Sequence, residues 1–177
     1  EVWLTLDNQE VTMVKVDMGK PILETKDIPC LFDKKTMINE AIEINGNIYH
    51  LTSLSMGNPH TVMFVDNLDF DIKKIGPFLE KHDMFPESVN TEFVQVVDRQ
   101  HLKMRVWERG SGETKACGTG ACACMYASYL LGLCDRDVFV DLLGGRLHIT
   151  YEDGHIFMEG EAKRIFEGII NEEDFYV

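Results

Sequence analysis

The stretch Glu108-Arg-Gly-Ser-Gly-Glu-Thr-Lys-Ala-Cys117-Gly-Thr-Gly-Ala-Cys-Ala-Cys-Met-Tyr-Ala-Ser-Tyr-Leu-Leu131 decides the fold. Its first half is a glycine-rich turn. Its second half predicts a helix over Gly118–Leu131 with no charge on any face. A helix of that kind is buried all round, so other elements must enclose it. Cys117 falls at the N-cap, where unpaired backbone N–H groups and the helix dipole favour a thiolate. The same N–H groups, those of Gly118 and Thr119, can hold a carboxylate.

The enclosing elements read as strands joined by tight turns. Asn45-Gly46 separates Glu40–Ile44 from Asn47–Leu54, and Gly144-Gly145 separates Val138–Leu143 from Arg146–Tyr151. Asp153-Gly154 leads into His155–Met158, and Asn8-Gln9 lies between Val2–Leu6 and Val11–Val16. These are two-residue hairpin signals. Thr91–Val97 and His101–Glu108 form another candidate pair. A second helix is predicted over Asp71–Lys81, with Ile72, Ile75, Phe78 and Leu79 on one stripe and Pro77 as a kink. The fold class is therefore α+β: a curved, barrel-like, mainly antiparallel sheet wrapped around one central helix.

The chain has 177 residues, enough for one well-buried domain. Seventeen basic residues against 30 acidic ones give a net charge of -13. That field repels phosphate backbones and anionic lipid, which argues against nucleic-acid and membrane partners. Five cysteines, no secretory signal and no apolar run of bilayer-spanning length point to free thiols in a reducing cytoplasm. The chain opens at Glu1 directly in a strand-like run, which reads as a piece of a longer protein.

Each candidate site residue has a plain reading beside a functional one. Cys117 could be inert core or a reactive thiol, and its N-cap position favours the second. Cys122 and Cys124 read as packing. Zinc is disfavoured, because C-x4-C-x-C matches no common zinc spacing and a helix points Cys122 and Cys124 to different faces. The glycine-rich segment fits neither the P-loop nor the dinucleotide fingerprint. Glu108 and Arg109 are either a surface ion pair at a strand end or receptors for an ammonium and a carboxylate. Met56-Gly57-Asn58-Pro59-His60 is a turn in which Asn58 offers both donor and acceptor atoms and His60 a titratable ring. Asn90 is the weakest candidate.

The run Val106–Cys122 closely resembles the C-terminal active-site motif of the diaminopimelate epimerase family. Val16-Asp-Met-Gly-Lys-Pro21, Ser55-Met-Gly-Asn-Pro-His60, Phe85-Pro-Glu-Ser-Val-Asn90, Gly144-Gly-Arg-Leu147, Met158-Glu-Gly160 and Phe166-Glu-Gly168 follow the family's order. The match runs from about Val14 to Ile170. Proline-racemase-like and phenazine-type relatives share the fold, but their motifs differ around the catalytic position. The resemblance implies an enzyme that needs no cofactor, pyridoxal phosphate included, and interconverts LL- and meso-diaminopimelate for lysine and peptidoglycan precursors. One cysteine thiolate would remove the α-proton and a thiol on the opposite face would return one. It makes Cys117 one of those two residues. Asn58, Asn90, Glu108, Arg109, Gly118 and Thr119 would bind substrate, while His60 and Glu108 would tune the thiols.

The family's other cysteine, in a Cys-Gly-Asn motif, has no counterpart here; Cys30 does not resemble it. The resemblance thus implies the C-terminal of two pseudo-symmetric halves. Residues 1–10 would be a remnant strand of the other half, 11–165 the epimerase domain, and 166–177 a C-terminal strand and tail. The missing N-terminal half would be its partner, and residues 1–177 alone would be inactive. A homodimer is among the assemblies this allows. Ser111 and Lys115 stand where the family pattern has Ala and Leu. Two other readings compete: a racemase of another amino acid on the same fold, and a non-catalytic amino-acid-binding module.

Overall fold

The computed structural model describes residues 1–44, 46–169 and 171. It contains one 11-stranded sheet and two α-helices. The strands are β1 (Val2–Asp7), β2 (Glu10–Asp17), β3 (Met37–Ile44), β4 (Asn47–Ser55), β5 (Pro59–Phe64), β6 (Asn90–Asp98), β7 (His101–Glu108), β8 (Gly112–Thr114), β9 (Asp137–Leu142), β10 (Gly145–Glu152) and β11 (His155–Glu161). Helix α1 spans Gly76–Glu80 and helix α2 spans Gly118–Leu130. The sheet order is β1-β2-β11-β10-β9-β7-β6-β5-β4-β3, with β8 hydrogen-bonded to β7.

Helix α2 contacts strands from β4 through to β11, so the sheet curves around it as the uncharged sequence requires. Gly120 to Ser128 are all buried. Ala121, Cys122, Ala123, Cys124 and Met125 pack with Val94, Met104, Val106, Val140 and Ile149 on the inner face of the sheet. The outer face of β3–β6 is covered as well. There Phe93, Leu51 and Met63 meet Ile28, Ile72, Leu79 and Phe85 from the connecting segments and α1. With both faces of β5 and β6 covered, their sequences are almost continuously buried rather than alternating.

The turn chemistry is local and follows the sequence closely. Asn8 and Gln9 both take positive φ (48° and 70°), as do Asp153 and Gly154 (50° and 84°), the geometry that matches hairpin twist. The turn after β9 falls one residue earlier than its glycines suggest. Leu142 pairs with Gly145, so Leu143-Gly144 is the turn and Gly145 begins β10. Gly144 is needed there, because a Cβ would sit 2.9 Å from the carbonyl oxygen of Lys115. Asn45 lies outside the described residues. So do residue 170 and residues 172–177 of the expected C-terminal strand; residues 162–169 form no strand.

One expectation needs correction. The predicted Asp71–Lys81 helix is a 3-10 turn (Ile72–Lys74) followed by α1, and Pro77 sits in the first turn of α1 instead of kinking a longer helix. Proline lacks only an N–H that is unpaired there anyway, so it starts a helix without cost. The sheet also contains two parallel pairs, β5 with β6 and β7 with β9. Parallel neighbours need a crossover connection. Residues 65–89, including α1, supply the first; α2 itself supplies the second. The central helix is thus a crossover enclosed by the sheet it connects.

Candidate active site

The two parallel pairs bring the chemistry together. Strands β5 and β6 begin, and β7 ends, at the level where α2 begins. His60 and Asn90 are register partners across β5 and β6. Glu108 closes β7. Cys117 is the N-cap of α2, in extended geometry (φ -139°, ψ 106°), and its Sγ accepts the Gly120 N–H at 3.3 Å. The N–H groups of Gly118 and Thr119 have no acceptor among the described residues. They are the donors that the sequence assigns to a carboxylate.

Asn90 braces two loops. Its Nδ2 donates to the Pro59 carbonyl at 3.1 Å, and its Oδ1 accepts the Arg109 N–H at 2.9 Å. One donor and one acceptor position of the amide remain for a ligand. The Arg109 guanidinium is exposed and donates to the Glu87 carbonyl at 3.1 Å. Glu108 accepts the Thr114 hydroxyl across the β7–β8 hairpin. Among the described residues, Glu108 and Arg109 do not form the ion pair of the plain reading; each side chain has another partner.

His60 is fully buried. Its Nδ1 lies 2.6 Å from Glu92 Oε1, and its Nε2 lies 3.0 Å from Asn58 Oδ1. The ring therefore contacts Glu92 and Asn58, and Glu92 is the neighbour that stands between it and α2. A Cβ on Gly120 would lie 2.9 Å from Glu92 Oε1 and 3.1 Å from Cys117 Sγ. Glu92 is a site residue that the sequence reading missed. A signal was present: Asn90, Glu92 and Val94 share one face of a strand by period two. An acid on the same face as a core valine is a buried charge.

Helix-cap placement alone suggests a thiol that ionises easily, and the structure corrects this. Burial pushes the Cys117 thiol above its ordinary range, and the Thr119 hydroxyl and Gly120 N–H only partly oppose it. The nearby Glu92 and Glu108 carboxylates push it the same way as burial. Cys117 is 8% exposed, while Cys122 and Cys124 are wholly buried. All five cysteines are free thiols. Burial also pushes Cys122 up to about 12, in keeping with packing.

Glu80, on α1, holds the outer side of this site. Its Oε2 accepts the Trp107 indole N–H at 2.6 Å and its Oε1 the Gly110 N–H at 2.8 Å. It thereby grips the residues on either side of Glu108-Arg109. Glu80→Ala leaves both donors without an acceptor, which costs about 1–3 kcal/mol. Glu80→Gln keeps one acceptor oxygen and should lose less. Urea midpoints of the two variants and the parent chain, compared at unchanged slope, check this order; midpoints equal to the parent's would remove Glu80 from the scaffold.

Gly120 has no room for a side chain. In an open helix Gly→Ala gains about 1 kcal/mol. Here the new methyl meets a carboxylate oxygen pinned by His60 and the sulfur of Cys117. Overpacking of that kind costs about 1–3 kcal/mol and displaces the thiol. Gly120→Ala should therefore melt lower than the parent chain; a higher melting temperature would show that the pocket around Cys117 yields.

A hollow of about 670 Å³ lies elsewhere, bordered by Ala116, Phe139, Arg146, His148 and Glu159. It includes neither Cys117 nor any of the residues that the sequence assigns to substrate.

The family profile for diaminopimelate epimerase matches residues 52–165, which carry every candidate site residue. The chain belongs to the diaminopimelate epimerase family. The diaminopimelate epimerase of Acetivibrio thermocellus is 50% identical over 171 residues, covering 95% of this chain and 61% of the relative. That of Methanococcus maripaludis is 49% identical and covers 95% and 62% respectively. The chain thus spans about 61–62% of the length of these relatives. Among solved structures, a hydroxyproline epimerase from Agrobacterium vitis superposes with TM-score 0.63 at 10% identity, covering 89% of this chain and 52% of that one. A probable proline racemase from Agrobacterium radiobacter gives 0.62 at 11% identity, covering 90% and 54%. At such identity the likeness shows the fold alone: the diaminopimelate-epimerase family shares its curved sheet and enclosed helix with amino-acid racemases. No helix among the described residues is long and apolar enough to cross a membrane, which says nothing of a β-barrel.

Proposed function

We propose that this chain is the C-terminal half of a cofactor-independent epimerase that interconverts LL- and meso-diaminopimelate in the cytoplasm. One observation carries the reading. Cys117 caps a buried helix whose next two N–H groups are unused, inside the segment that the family profile matches. In this reading residues 11–165 are the catalytic half, residues 1–10 a strand of the other half, and residues 166–177 a C-terminal tail. The other half supplies the second thiol.

The substrate's α-carboxylate sits on the Gly118 and Thr119 N–H groups. Asn58 and Asn90 hold its polar ends, Glu108 an ammonium, and Arg109 the distal carboxylate. One sulfur, as thiolate, takes the α-proton; the C–H electron pair stays on the α-carbon and spreads into the carboxylate. Preorganised N–H donors at the helix end stabilise that growing charge. A thiol on the opposite face then gives its proton to the α-carbon and becomes the thiolate. The configuration inverts, and no redox change occurs. Cys117 is the donor in one direction and the acceptor in the other, with His60 and Glu108 tuning its protonation.

Deuterium uptake at the substrate α-carbon in D2O, measured with the complete gene product, tests this. Uptake is expected with diaminopimelate and not with a panel of other amino acids. Uptake only with another amino acid would keep the mechanism and move the substrate. No uptake with any of them would leave an amino-acid-binding module.

A further inference from the structure

The mechanism so far makes no use of Glu92, although it is fully buried between the two groups that matter most. Its Oε1 accepts the His60 Nδ1 proton at 2.6 Å. Its Oε2 has no hydrogen-bond partner among the described residues. A carboxylate buried to this degree is retained only where it is paired or has a task. The backbone of Gly120 shows how close it comes to the thiol: a Cβ added there would lie 2.9 Å from Glu92 Oε1 and 3.1 Å from Cys117 Sγ. The two groups are therefore no more than about 6 Å apart, within the range where one charge governs another's protonation.

We propose that Glu92 is a positioning residue of this site, which fixes the His60 ring and biases the resting Cys117 toward its protonated, proton-donating form. The proposal rests on the reading of Cys117 as an acid/base residue, and it identifies what favours the thiol form of that sulfur. Because a carboxylate can only accept, it locks the Nδ1–H of His60 toward itself and turns Nε2 to Asn58. His60 then acts on the sulfur through Glu92 and orients Asn58 at the substrate position. In a two-thiol mechanism the two sulfurs must be in opposite protonation states, so a carboxylate beside one of them biases which carries the proton. The titratable groups facing this couple are His60 from β5, Glu108 at the end of β7, and Cys117, Cys122 and Cys124 from α2. Glu108 pushes the thiol in the same direction as Glu92. Cys122 and Cys124 are buried thiols held neutral by desolvation.

The test is Glu92→Gln in the complete enzyme. The amide keeps the shape and an acceptor for the Nδ1–H, and removes the charge. The readout is the pH dependence of Cys117 alkylation by iodoacetamide, followed on the Cys117 peptide by mass spectrometry. The profile should move about one pH unit downward, or about tenfold faster alkylation at a fixed pH below the midpoint. Glu92→Asp, which keeps the charge, should stay near the parent profile. A folded Glu92→Gln protein with an unmoved profile overturns the proposal. If Glu92→Gln does not fold, the unsubstituted enzyme still decides. Its Cys117 Cβ resonance, labelled with carbon-13, must titrate above the ordinary thiol value of about 8.5, and a midpoint below that value overturns the proposal. Alkylation needs no substrate. A moved profile without α-proton exchange on any amino acid would therefore sink the epimerase reading and leave the role of Glu92 standing; exchange with an unmoved profile would do the reverse.

Discussion

Cys117→Ser in the complete protein should cut α-proton exchange on diaminopimelate by about 10²-fold or more, the usual effect of removing an acid/base group. The substitution isolates the chemistry from the fold. Serine is a better N-cap than cysteine, and its Oγ can take over the Gly120 N–H that Sγ accepts at 3.3 Å. The site is buried, but the hydroxyl is smaller than the thiol and makes no clash. What is lost is acidity: a hydroxyl neither gives up nor recovers a proton as readily as a thiol does. The melting temperature should therefore hold while turnover falls. Unchanged exchange would sink the role assigned to Cys117, whatever the substrate proves to be.

Residues 1–177 by themselves should show no turnover on diaminopimelate. Inverting a carbon needs a proton removed from one face and returned to the other. Among the described residues Cys117 is the one thiol at this site. Cys122, Cys124 and Cys134 are 0%, 0% and 1% exposed within the core. Cys30 packs with Met37, Leu51 and Phe85 on the opposite face of the sheet. Moving any of them to the substrate would mean unpacking a cluster. Mixing the purified chain with the remaining part of the complete protein, produced separately, should restore exchange. Full turnover by residues 1–177 alone would refute the two-half reading directly.

The family was legible in the sequence as a resemblance carried by short motifs, and the capped helix was legible because it rests on short-range chemistry. The glycine turn, the uncharged helix and the cysteine at its start lie within two dozen consecutive residues. Turns such as Asn8-Gln9 and Asp153-Gly154 announce themselves because few residues tolerate positive φ. The sheet wrapped around α2 followed from one fact: a helix with no polar face has to be covered on every side.

Other features depended on residues far apart in the chain. That β5 lies parallel to β6, and β7 to β9, is a matter of how crossovers pack, and no local pattern states it. Those pairings put Asn58, His60, Asn90, Glu108 and Cys117 at one end of the sheet. Burial of Cys117 opposes the helix end and pushes the thiol above its ordinary range, against what its position alone suggests. Glu92 was invisible for the same reason. In sequence it is one acid in an alternating strand; in the fold, 0% exposed, it is the charge between His60 and the thiol. Sequence determines which groups exist and which local shapes they favour. Only the tertiary structure sets the distances and the desolvation on which their protonation states depend.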